Sequence, residues 1–580
     1  MRRTDGEVDC PGYLEDADAR ALLASLPFEH LAYEAGRASA KRLQPRLINR
    51  LRRERLQFEQ LPAPPALLFV LPGQVGPAAQ VWTLQSWPGA VAVNAAEGPA
   101  RVRELAKAAD FVFFARGVDL IHPSAAGVVA RQDGADAVLW NRFSADFARG
   151  GSGGVVYRRP PFDPVTARHG ALTDTCLALR GAVLADAPDD VLAALSQGRL
   201  HPLWFWLAGQ ALAWRLHPEA LTSDVGEPFT LDGPQVEQDD AVYRSILEAE
   251  GGRFALDGPS RARPFPYVLQ PDRRAKATSV LVCFRDKAGL TLGCLESLAG
   301  QRLSGALQVV LVDNGSAPEE TRAVLDGARR LFGEAAVDLI RYDRPFNHSA
   351  QNNLAAQAAR GEVVVFCNND VILNEDGLLE QLTAWALQPG VGAVGCRMHD
   401  PARDVGSYGH VASAPSADPF RPALGENRDP TYGWGVHASP GVTLAFAAMA
   451  RERFLAVGGL DESRFPIGYN DMDLMLRAAD AGLTHLYLGH LSAEHPRGAT
   501  RTGDDEGLQA LWVNERHPSS AFAHIRQLAR ERVDVAVRPV VAAPGPAALA
   551  PAARQGPLHG LLLAGARLRR KLFGRSAPKR

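Results

Sequence analysis

A regular alternation of short apolar runs and amphipathic segments between residues 278 and 370 constrains the fold of this chain more than any other feature. The apolar runs TSVLVCF (278–284), LQVVLVD (307–313) and EVVVFCNND (362–370) are separated by segments with helical periodicity. Strands that alternate with helices form a parallel sheet with right-handed crossovers. The pattern therefore predicts an α/β domain whose ligands bind at the carboxyl ends of the strands.

A weaker alternation of the same kind precedes it. The runs ALLFVLPG (66–73), GAVAVN (89–94) and ADFVFFA (109–115) predict strands, and PARVRELAKAA (99–109) predicts a helix between the last two. Residues 241–275 begin with one predicted short helix and become rich in Pro and Arg toward their end, so we interpret them as a linker. Two α/β domains in succession are the expected architecture.

Composition excludes several classes of protein. Lys and Arg total 63 and Asp and Glu total 65 in 580 residues, a net charge of −2, which argues against a nucleic-acid-binding chain. The longest apolar stretch, near residues 202–214, is too short to span a bilayer, and the first ten residues lack the apolar core of a signal peptide. The six cysteines contain no C-x-x-C pair. We therefore expect a cytoplasmic protein with reduced cysteines.

Both ends of the chain differ from the α/β regions. Residues 1–60 predict a helical, charged N-terminal segment. Residues 536–580 combine a Pro/Ala-rich linker with a basic amphipathic tail, which carries seven Lys or Arg from Arg567 onward. The tail is either a flexible, solvated end or a peripheral contact with the anionic inner face of the cell membrane.

Polar residues that follow the apolar runs are candidates for chemistry. Asp313 and Asp370 each end a predicted strand, and a carboxylate there suits a hard cation such as Mg²⁺. Asp471 and Asp473 begin a helical pattern, where the helix dipole also favours acids. Because they are two residues apart, they do not share a helix face, so one could face a cleft while the other caps the helix. His495 is either a metal ligand or a structural histidine.

Taken in order, these pieces resemble family 2 glycosyltransferases of the GT-A fold, from about residue 278 to residue 500. The resemblance is carried by SVLVCFRDKAGLTLGCLESL, VVLVDNGS, FNHSAQNNLAAQAARGEVVVFCNNDVIL, GVGAVG, and GGLDE followed by GYNDMDLMLRAADAG. The most similar patterns are those of bacterial enzymes that build O-antigen and other surface polysaccharides. The resemblance implies an inverting transfer of sugar from a nucleoside-diphosphate-sugar donor to a glycan or lipid-linked glycan acceptor.

The resemblance also assigns roles to individual residues. Asp471 falls at the position of the catalytic base. Asp370 and His495 fall at the positions that hold Mg²⁺ or Mn²⁺, with His490 as the substitute for His495 because His-Pro-Arg replaces the usual His-His-Glu. Trp434 and His437 are acceptor-site candidates. The residues assigned to the nucleotide sugar are Arg285, Asp286, Asp313, Asn314, Asn347, Asn353, Asn368 and Asn369, the last two within the variant D-x-D triplet.

The stretch ADFVFFARGVDLIHP resembles the same region of a GT-A domain, but Arg116 and Val118 replace the two metal-binding acids and Asp119 comes one place too late. We interpret residues 61–240 as a degenerate GT-A-like domain and residues 276–535 as the catalytic domain. The fold class is thus two tandem Rossmann-like GT-A domains. The alternative function is a catalytically inactive glycan-binding or scaffold protein, which the eroded first domain and Asn368 would suit.

Overall fold

The structure is a computed structural model, and the residues it describes form two large sheets, three two-stranded sheets and the helices around them. The described ranges are 2–4, 7–9, 66–71, 91–93, 98–116, 120–121, 125–145, 154–157, 162–169, 175–224, 233–258, 267–399, 407–412, 420–424, 435–439, 441–496, 516 and 533–535. Within the predicted helical segment 1–60, residues 2–4 and 7–9 form an antiparallel pair of strands, so the prediction is wrong there. The rest of that segment, the Pro/Ala-rich linker and the basic tail lie outside the described ranges. No helix in these ranges is long and apolar enough to cross a membrane.

The elements are named in chain order. The strands are β1 Arg2–Thr4, β2 Glu7–Asp9, β3 Ala66–Leu71, β4 Val91–Val93, β5 Phe111–Arg116, β6 Leu120–Ile121, β7 Ala137–Ala145, β8 Gly154–Tyr157, β9 Leu177–Arg180, β10 Trp214–Asp224, β11 Phe254–Asp257, β12 Val268–Pro271, β13 Ala277–Phe284, β14 Ala306–Asp313, β15 Val337–Arg341, β16 Val363–Asn368, β17 Val391–His399, β18 Ser407–Ala412, β19 Phe420–Leu424, β20 Val436–Ser439, β21 Phe446–Ala450, β22 Thr484–Glu494 and β23 Val533–Val535. The α-helices are α1 Gly98–Lys107, α2 Ala125–Ala130, α3 Pro164–Arg168, α4 Gly181–Ala185, α5 Asp189–Ser196, α6 His201–Leu207, α7 Gly233–Ala249, α8 Ala288–Ala299, α9 Pro318–Phe332, α10 His348–Ala358, α11 Leu378–Ala386, α12 Arg451–Ala456 and α13 Asn470–Asp480.

The second sheet confirms the predicted α/β fold. Its eight strands follow the order β15-β14-β13-β16-β21-β17-β22-β20, and the first four are parallel. Alternate residues of these strands enter two different apolar clusters, because successive side chains of a strand point to opposite faces. Helices α8 and α11 cover one face, and α10 and α13 cover the other. This two-sided burial explains why the strands are apolar throughout.

Strand β21 runs antiparallel between β16 and β17. The chain leaves β17 at the carboxyl edge of the sheet and passes through β18, β19 and β20 before it enters β21. A strand that is entered from the carboxyl edge must run back toward the amino edge. The sheet is therefore mixed, whereas the strand–helix pattern predicted parallel strands alone.

The first sheet repeats the arrangement of the second. Its strands β4-β3-β5-β9-β7 lie side by side, with β10 along β7. Strand β3 is parallel to β4 and β5, β9 runs antiparallel between β5 and β7, and β10 is parallel to β7. The order and the directions are those of β14-β13-β16-β21-β17-β22. A six-stranded unit thus occurs twice in the described part of the chain, and we call the two units the first and second copies.

The register of the two copies also agrees. Arg180 pairs with Phe111 in the first copy, and Ala450 pairs with Val363 in the second. Arg180 and Ala450 are therefore equivalent, and they are 270 positions apart in the chain. The following helices, α4 and α12, begin one residue after these pairs. Carried forward without a gap, the same spacing aligns His201, at the start of α6, with residue 471 in the first turn of α13.

Residues 233–271 differ from the predicted linker in the part that the structure describes. They contain helix α7 and the antiparallel pair β11–β12. Tyr243, Tyr267 and Leu269 from this segment are buried in an apolar cluster that includes residues of both copies. The segment is packed because its apolar side chains fill the space between the two sheets, and Phe254 contacts Trp385 of α11 with ring centroids 5.5 Å apart.

Candidate functional site

Backbone and side-chain hydrogen bonds join the segments that follow β13 and β14 at the carboxyl edge of the second sheet. The Asp286 amide donates to Ser316 Oγ over 2.7 Å, and the Ala317 amide donates to Asp286 Oδ1 over 2.9 Å. Asp286 has a left-handed φ of 51°, which turns the chain back over the edge of the sheet. Arg285 is exposed beside it. The structure therefore brings Arg285, Asp286 and Asp313 to one edge, as the sequence predicted.

Asp313 is fully buried, with 0% of its surface exposed. Its Oδ1 accepts from the Ser316 amide at 2.9 Å, and its Oδ2 accepts from Thr321 Oγ1 at 2.7 Å and Arg341 Nη1 at 3.1 Å. Burial raises the pKa of this carboxyl, but the hydrogen bonds from Ser316 and Thr321 and the charge of Arg341 outweigh it, so the pKa lies below its ordinary value of 3.8. Asp313 is thus an ionised residue that fixes the turn after β14.

The predicted amide residues also hold the backbone in place. Asn314 donates to the carbonyl oxygens of Tyr342 and Arg344. Asn347 caps α10 by accepting from the Ala350 amide at 2.9 Å. Asn353 bonds both the amide and the carbonyl of Leu460, at 2.9 and 2.8 Å. Direct contact of these residues with a nucleotide sugar stays a prediction.

Asp370 and His495 meet at the end of β16. Asp370 is 4% exposed, and its Oδ1 lies 3.3 Å from His495 Nε2 but makes no hydrogen bond in the described part of the chain. Asn368 Nδ2 lies 3.4 Å from the same imidazole nitrogen. His490 instead contacts Gln381 Oε1 at 3.0 Å. The geometry therefore pairs Asp370 with His495, and gives His490 a different partner.

This pair fits a divalent cation. A buried carboxylate oxygen without a hydrogen bond is costly unless a positive charge compensates it. Mg²⁺ is commonly held by one or two carboxylates while water and substrate phosphates complete its shell, and imidazole suits transition metals. Among the described residues no group of three or more His, Cys, Asp or Glu could hold a metal. Asp370 and His495 would thus need ligands from water or from a substrate.

The two acids of α13 have different environments. Asp473 is fully buried and accepts from Arg477 Nε at 2.9 Å and Arg516 Nη1 at 3.2 Å. Asp471 is partly exposed in the first turn, where its amide donates to Asn470 Oδ1 at 2.9 Å. Asn470 in turn donates to Ser349 Oγ of α10 at 3.0 Å. Asp471 is therefore the acid that is accessible to a substrate, and Asp473 is structural.

The acceptor-site candidates have a different outcome. Trp434 lies outside the described residues. His437 is 6% exposed, and its ring centroid lies 5.2 Å from that of Tyr487. Burial, with a smaller contribution from His490, lowers the pKa of His437 to about 4. A neutral, buried imidazole offers little surface to an acceptor, so the geometry does not favour the predicted role of His437.

Two residues that the sequence reasoning missed contribute to this edge of the sheet. Arg341 ends β15 and bonds Asp313, and Asn470 fixes the amide of Asp471. The available signal for Arg341 was its place at the carboxyl end of the predicted strand VDLIRYD. The signal for Asn470 was its position just before the predicted base.

The first copy has no equivalent site in its described residues. Strand β5 aligns with β16 from Phe111 onward, so Arg116 takes the place of Asn368, while positions 117–119 lie outside the described residues. His201, which the ungapped spacing aligns with Asp471, is buried, and its Nδ1 lies 2.6 Å from the hydroxyl of Tyr243 in α7. Burial lowers the pKa of His201 to about 4. Helix α7 thus packs against His201.

In the second copy, a buried carboxylate and a histidine meet at the carboxyl end of β16, the edge at which α/β sheets bind their ligands. Residues 279–443 match the family model described as Glycosyl transferase family 2. The match confirms the predicted resemblance for these residues.

The chain is also similar to individual proteins. The chain is 31% identical over 294 residues to "O-antigen biosynthesis protein RfbC" of Myxococcus xanthus. The aligned region covers 47% of this chain and 22% of that protein. It is 30% identical over 301 residues to "Uncharacterized protein y4gI" of Sinorhizobium fredii, 50% of this chain and 32% of that protein. The chain thus matches less than a third of the length of either relative. A solved mannosyltransferase of Pyrobaculum calidifontis, in complex with GDP-Man and Mn²⁺, is 20% identical with a TM-score of 0.30, over 52% of this chain and 81% of that one.

Proposed function

We propose that the second copy is an inverting glycosyltransferase that moves a sugar from a nucleoside-diphosphate-sugar donor to a bacterial surface glycan, with a divalent cation. The observation that carries the proposal is the buried Asp370 carboxylate, whose Oδ1 has no hydrogen bond and faces His495 at 3.3 Å within a family 2 domain. The name of the Myxococcus relative, an O-antigen biosynthesis protein, supports a surface glycan or its lipid-linked precursor as the acceptor.

The residues have separate roles in the proposed reaction. Asp370 and His495 would hold Mg²⁺ or Mn²⁺, which when bound neutralises charge on the departing diphosphate. Asp471 accepts the proton of the acceptor hydroxyl as general base. The hydroxyl oxygen bonds to the anomeric carbon as the bond to the diphosphate breaks on the opposite face, so the configuration inverts. One carboxylate acts on the acceptor, unlike the paired carboxylates of most glycoside hydrolases.

The predicted place of the reaction follows from the acceptor. A lipid-linked glycan precursor lies at the inner face of the cell membrane, and a cytoplasmic enzyme with a basic tail could reach it by electrostatic attraction to anionic lipid. This part of the proposal rests on the sequence of residues 558–580.

The repeated sheet supports the proposal that the two copies are tandem GT-A-like domains, the first of them degenerate. Arg116 replaces a metal-site residue, and His201 replaces the base. Arg199, next to His201, forms a buried ion pair with Asp239 of α7. The first copy would then serve as a platform for α7 and for the second copy, to which it contributes the Thr166 hydroxyl that accepts from the Ala438 amide at 2.9 Å.

The platform role predicts a stability effect without a catalytic one. Tyr243→Phe removes the hydroxyl next to His201, and we expect the free energy of unfolding to fall by about 1–3 kcal/mol because a buried polar atom loses its partner. The kcat should not change. Arg244→Ala, in the same helix but on its exposed side, is the control and should lower the free energy of unfolding by less than about 0.5 kcal/mol. Urea unfolding and a transferase assay measure both quantities, and a loss of kcat without a loss of stability would contradict the platform role.

The cation pair predicts metal-dependent binding of the donor nucleotide. Calorimetric titration of UDP, dTDP and GDP with and without Mn²⁺ should find at least one nucleotide that binds in the presence of the metal. Asp370→Asn should weaken that binding about tenfold or more, because the amide carries no charge for the cation.

The exposed carboxylate of Asp376, six residues along, gives the matched control, and Asp376→Asn should bind like the wild type. Nucleotide binding that depends neither on Mn²⁺ nor on Asp370 would contradict the proposed site. A complete lack of nucleotide binding would favour the alternative, a catalytically inactive glycan-binding or scaffold protein, which Asn368 at the first position of the metal triplet also suits.

A further inference from the structure

The buried amide of Asn470 lies directly before the predicted general base. We propose that Asn470 is a positioning residue, which takes its orientation from Ser349 of α10 and holds Asp471 in place for proton transfer. The inference rests on the proposed function and deepens it, because it adds a residue that acts through the base. Asn470 is 4% exposed, so it offers almost no surface to a substrate itself.

The hydroxyl of Ser349 decides which way the amide of Asn470 faces. Ser349 is fully buried, and its Oγ donates its single proton to the Phe465 carbonyl. This oxygen can therefore only accept from Asn470, so the Nδ2 end of the amide faces it, at 3.0 Å, and also lies 3.1 Å from His348 Nδ1. The Oδ1 end is thereby turned toward the Asp471 amide, which donates to it over 2.9 Å.

The backbone that leads into α13 needs a restraint of this kind. Tyr469, the residue before Asn470, has a left-handed φ of 55°, which is unfavourable for a bulky side chain and persists only where the surroundings hold it. Ser349 also holds the chain ahead of this turn, since its amide donates to the Pro466 carbonyl at 3.3 Å. One serine of α10 therefore restrains the chain on both sides of Tyr469, and Asp471 lies in the helical turn that follows.

Helix α10 connects the base to the rest of the carboxyl edge. Two residues beyond Ser349, Gln351 is 1% exposed, and its Nε2 donates to Asn314 Oδ1 at 3.1 Å in the turn after β14. The same end of α10 is thus tied to both α13 and β14. A general base acts only within hydrogen-bond reach of its proton, and a displacement of about 1 Å can lower a rate about 10²-fold. The tie between Ser349 and Asn470 should therefore be visible in the kcat.

Three single variants break this tie in different ways. Asn470→Ala removes the amide, and Ser349→Ala removes the acceptor of its Nδ2. Asn470→Asp keeps the shape and an acceptor for the Asp471 amide, but the carboxylate has no proton to donate to Ser349. Each variant should lower the kcat per folded molecule about tenfold or more and leave the nucleotide affinity within about twofold of the wild type, because the donor edge is unchanged.

The measurements separate transfer from binding. The kcat is the rate of nucleoside diphosphate release from UDP-, dTDP- and GDP-hexoses, with octyl glycosides and lipid-linked glycan precursors as acceptors. The affinities of the full-length protein for UDP, dTDP and GDP are measured by calorimetry with Mn²⁺. Urea unfolding gives the folded fraction and the stability of each variant.

A double variant tests whether the two side chains act as a unit. If Asn470 acts through Ser349, Asn470→Ala combined with Ser349→Ala should lower the kcat no more than about threefold beyond the stronger single variant. The second substitution then removes a tie that the first has already broken. Independent effects would multiply instead.

Gln308→Ala is the matched control. Gln308 is also a buried amide, 4% exposed, and it also bonds α10, but at the other end of that helix, where its Nε2 donates to the Ala358 carbonyl at 3.3 Å. Its removal should lower the free energy of unfolding and leave the kcat per folded molecule within about twofold of the wild type.

The outcomes separate the two proposals. A kcat that any of the three single variants leaves unchanged, losses that multiply in the double variant, a nucleotide affinity that falls as far as the kcat, or an equal loss of kcat in Gln308→Ala would overturn the role of Asn470. Loss of activity in Asp471→Asn would then still support the base. Full activity in Asp471→Asn, or a wild type that transfers none of these hexoses, would overturn both proposals. A kcat that falls alone, and no further in the double variant, is the expected result.

Discussion

Asp471→Asn should lower the kcat for sugar transfer by about 10²–10⁴-fold, the usual contribution of a general base. The amide has the shape of the carboxylate and can still accept the hydrogen bond from the Met472 amide, so the first turn of α13 should keep its geometry. It cannot take the proton of the acceptor hydroxyl. The donor KM should change little, because Asp370 and His495 follow β16 and β22, whereas the base is carried by α13.

The measurement is the rate of nucleoside diphosphate release in the presence of acceptor, compared with the release by water alone. Asp473→Asn, two residues along the same helix, is an instructive comparison because it leaves Arg477 and Arg516 without their shared carboxylate. We expect it to lower the stability of the protein more than its kcat per folded molecule. Full transferase activity in Asp471→Asn would show that another group is the base.

The sequence predicted the parts of the site that depend on strand order. Apolar runs that end in Asp313 and Asp370 place these residues at one edge of a parallel sheet, whatever the packing of the helices. The pairing of Asp370 with His495 followed from the family resemblance, and the structure brings the two side chains within 3.3 Å. Local pattern was enough because each of these residues sits next to an element that the pattern defines.

Other features depend on tertiary contacts that no local pattern contains. Thr321 and Arg341 reach Asp313 from two other elements and donate to its carboxylate, while its predicted contact with the nucleoside stays a prediction. Residues 241–275 were expected to be a linker because Pro and Arg dominate their end, and the burial of Tyr243 against His201 became visible only in the folded chain. The repeat of the two copies is likewise expressed in strand order and register, which become visible only in the folded chain.

Acid should destabilise the folded protein well before the carboxylates titrate. Four histidines are buried in the described part of the chain, and burial lowers the pKa of His169 to about 3 and of His201, His437 and His485 to about 4. In the unfolded chain each would titrate near 6.5. Between these values the unfolded state binds more protons than the folded state, so the free energy of unfolding falls as the pH falls from about 6.5 toward 4.

The expected slope is about 1.4 kcal/mol per pH unit for each histidine, and about 5 kcal/mol per pH unit when all four contribute fully. The hydrogen bonds of the buried histidines also predict that the free energy of unfolding falls as the pH falls. His169 Nε2 accepts from the Leu269 amide at 3.2 Å, and His485 Nδ1 accepts from the Ala393 amide at 3.0 Å. Protonation of either nitrogen would set a donor against a donor in the core, which is why the folded state resists the proton.

Urea unfolding at pH 7, 6 and 5 measures the slope, and His485→Gln isolates one contribution to it. The glutamine carbonyl can accept from Ala393 and its amide can donate to the Met475 carbonyl, which His485 Nε2 now contacts at 2.8 Å, without taking up a proton. The variant should therefore lose stability less steeply between pH 6.5 and 4, by about 1.4 kcal/mol per pH unit. A free energy of unfolding that stays constant from pH 7 to pH 5 would mean that the imidazoles accept protons in the folded state, and hence that the core around them is open to water.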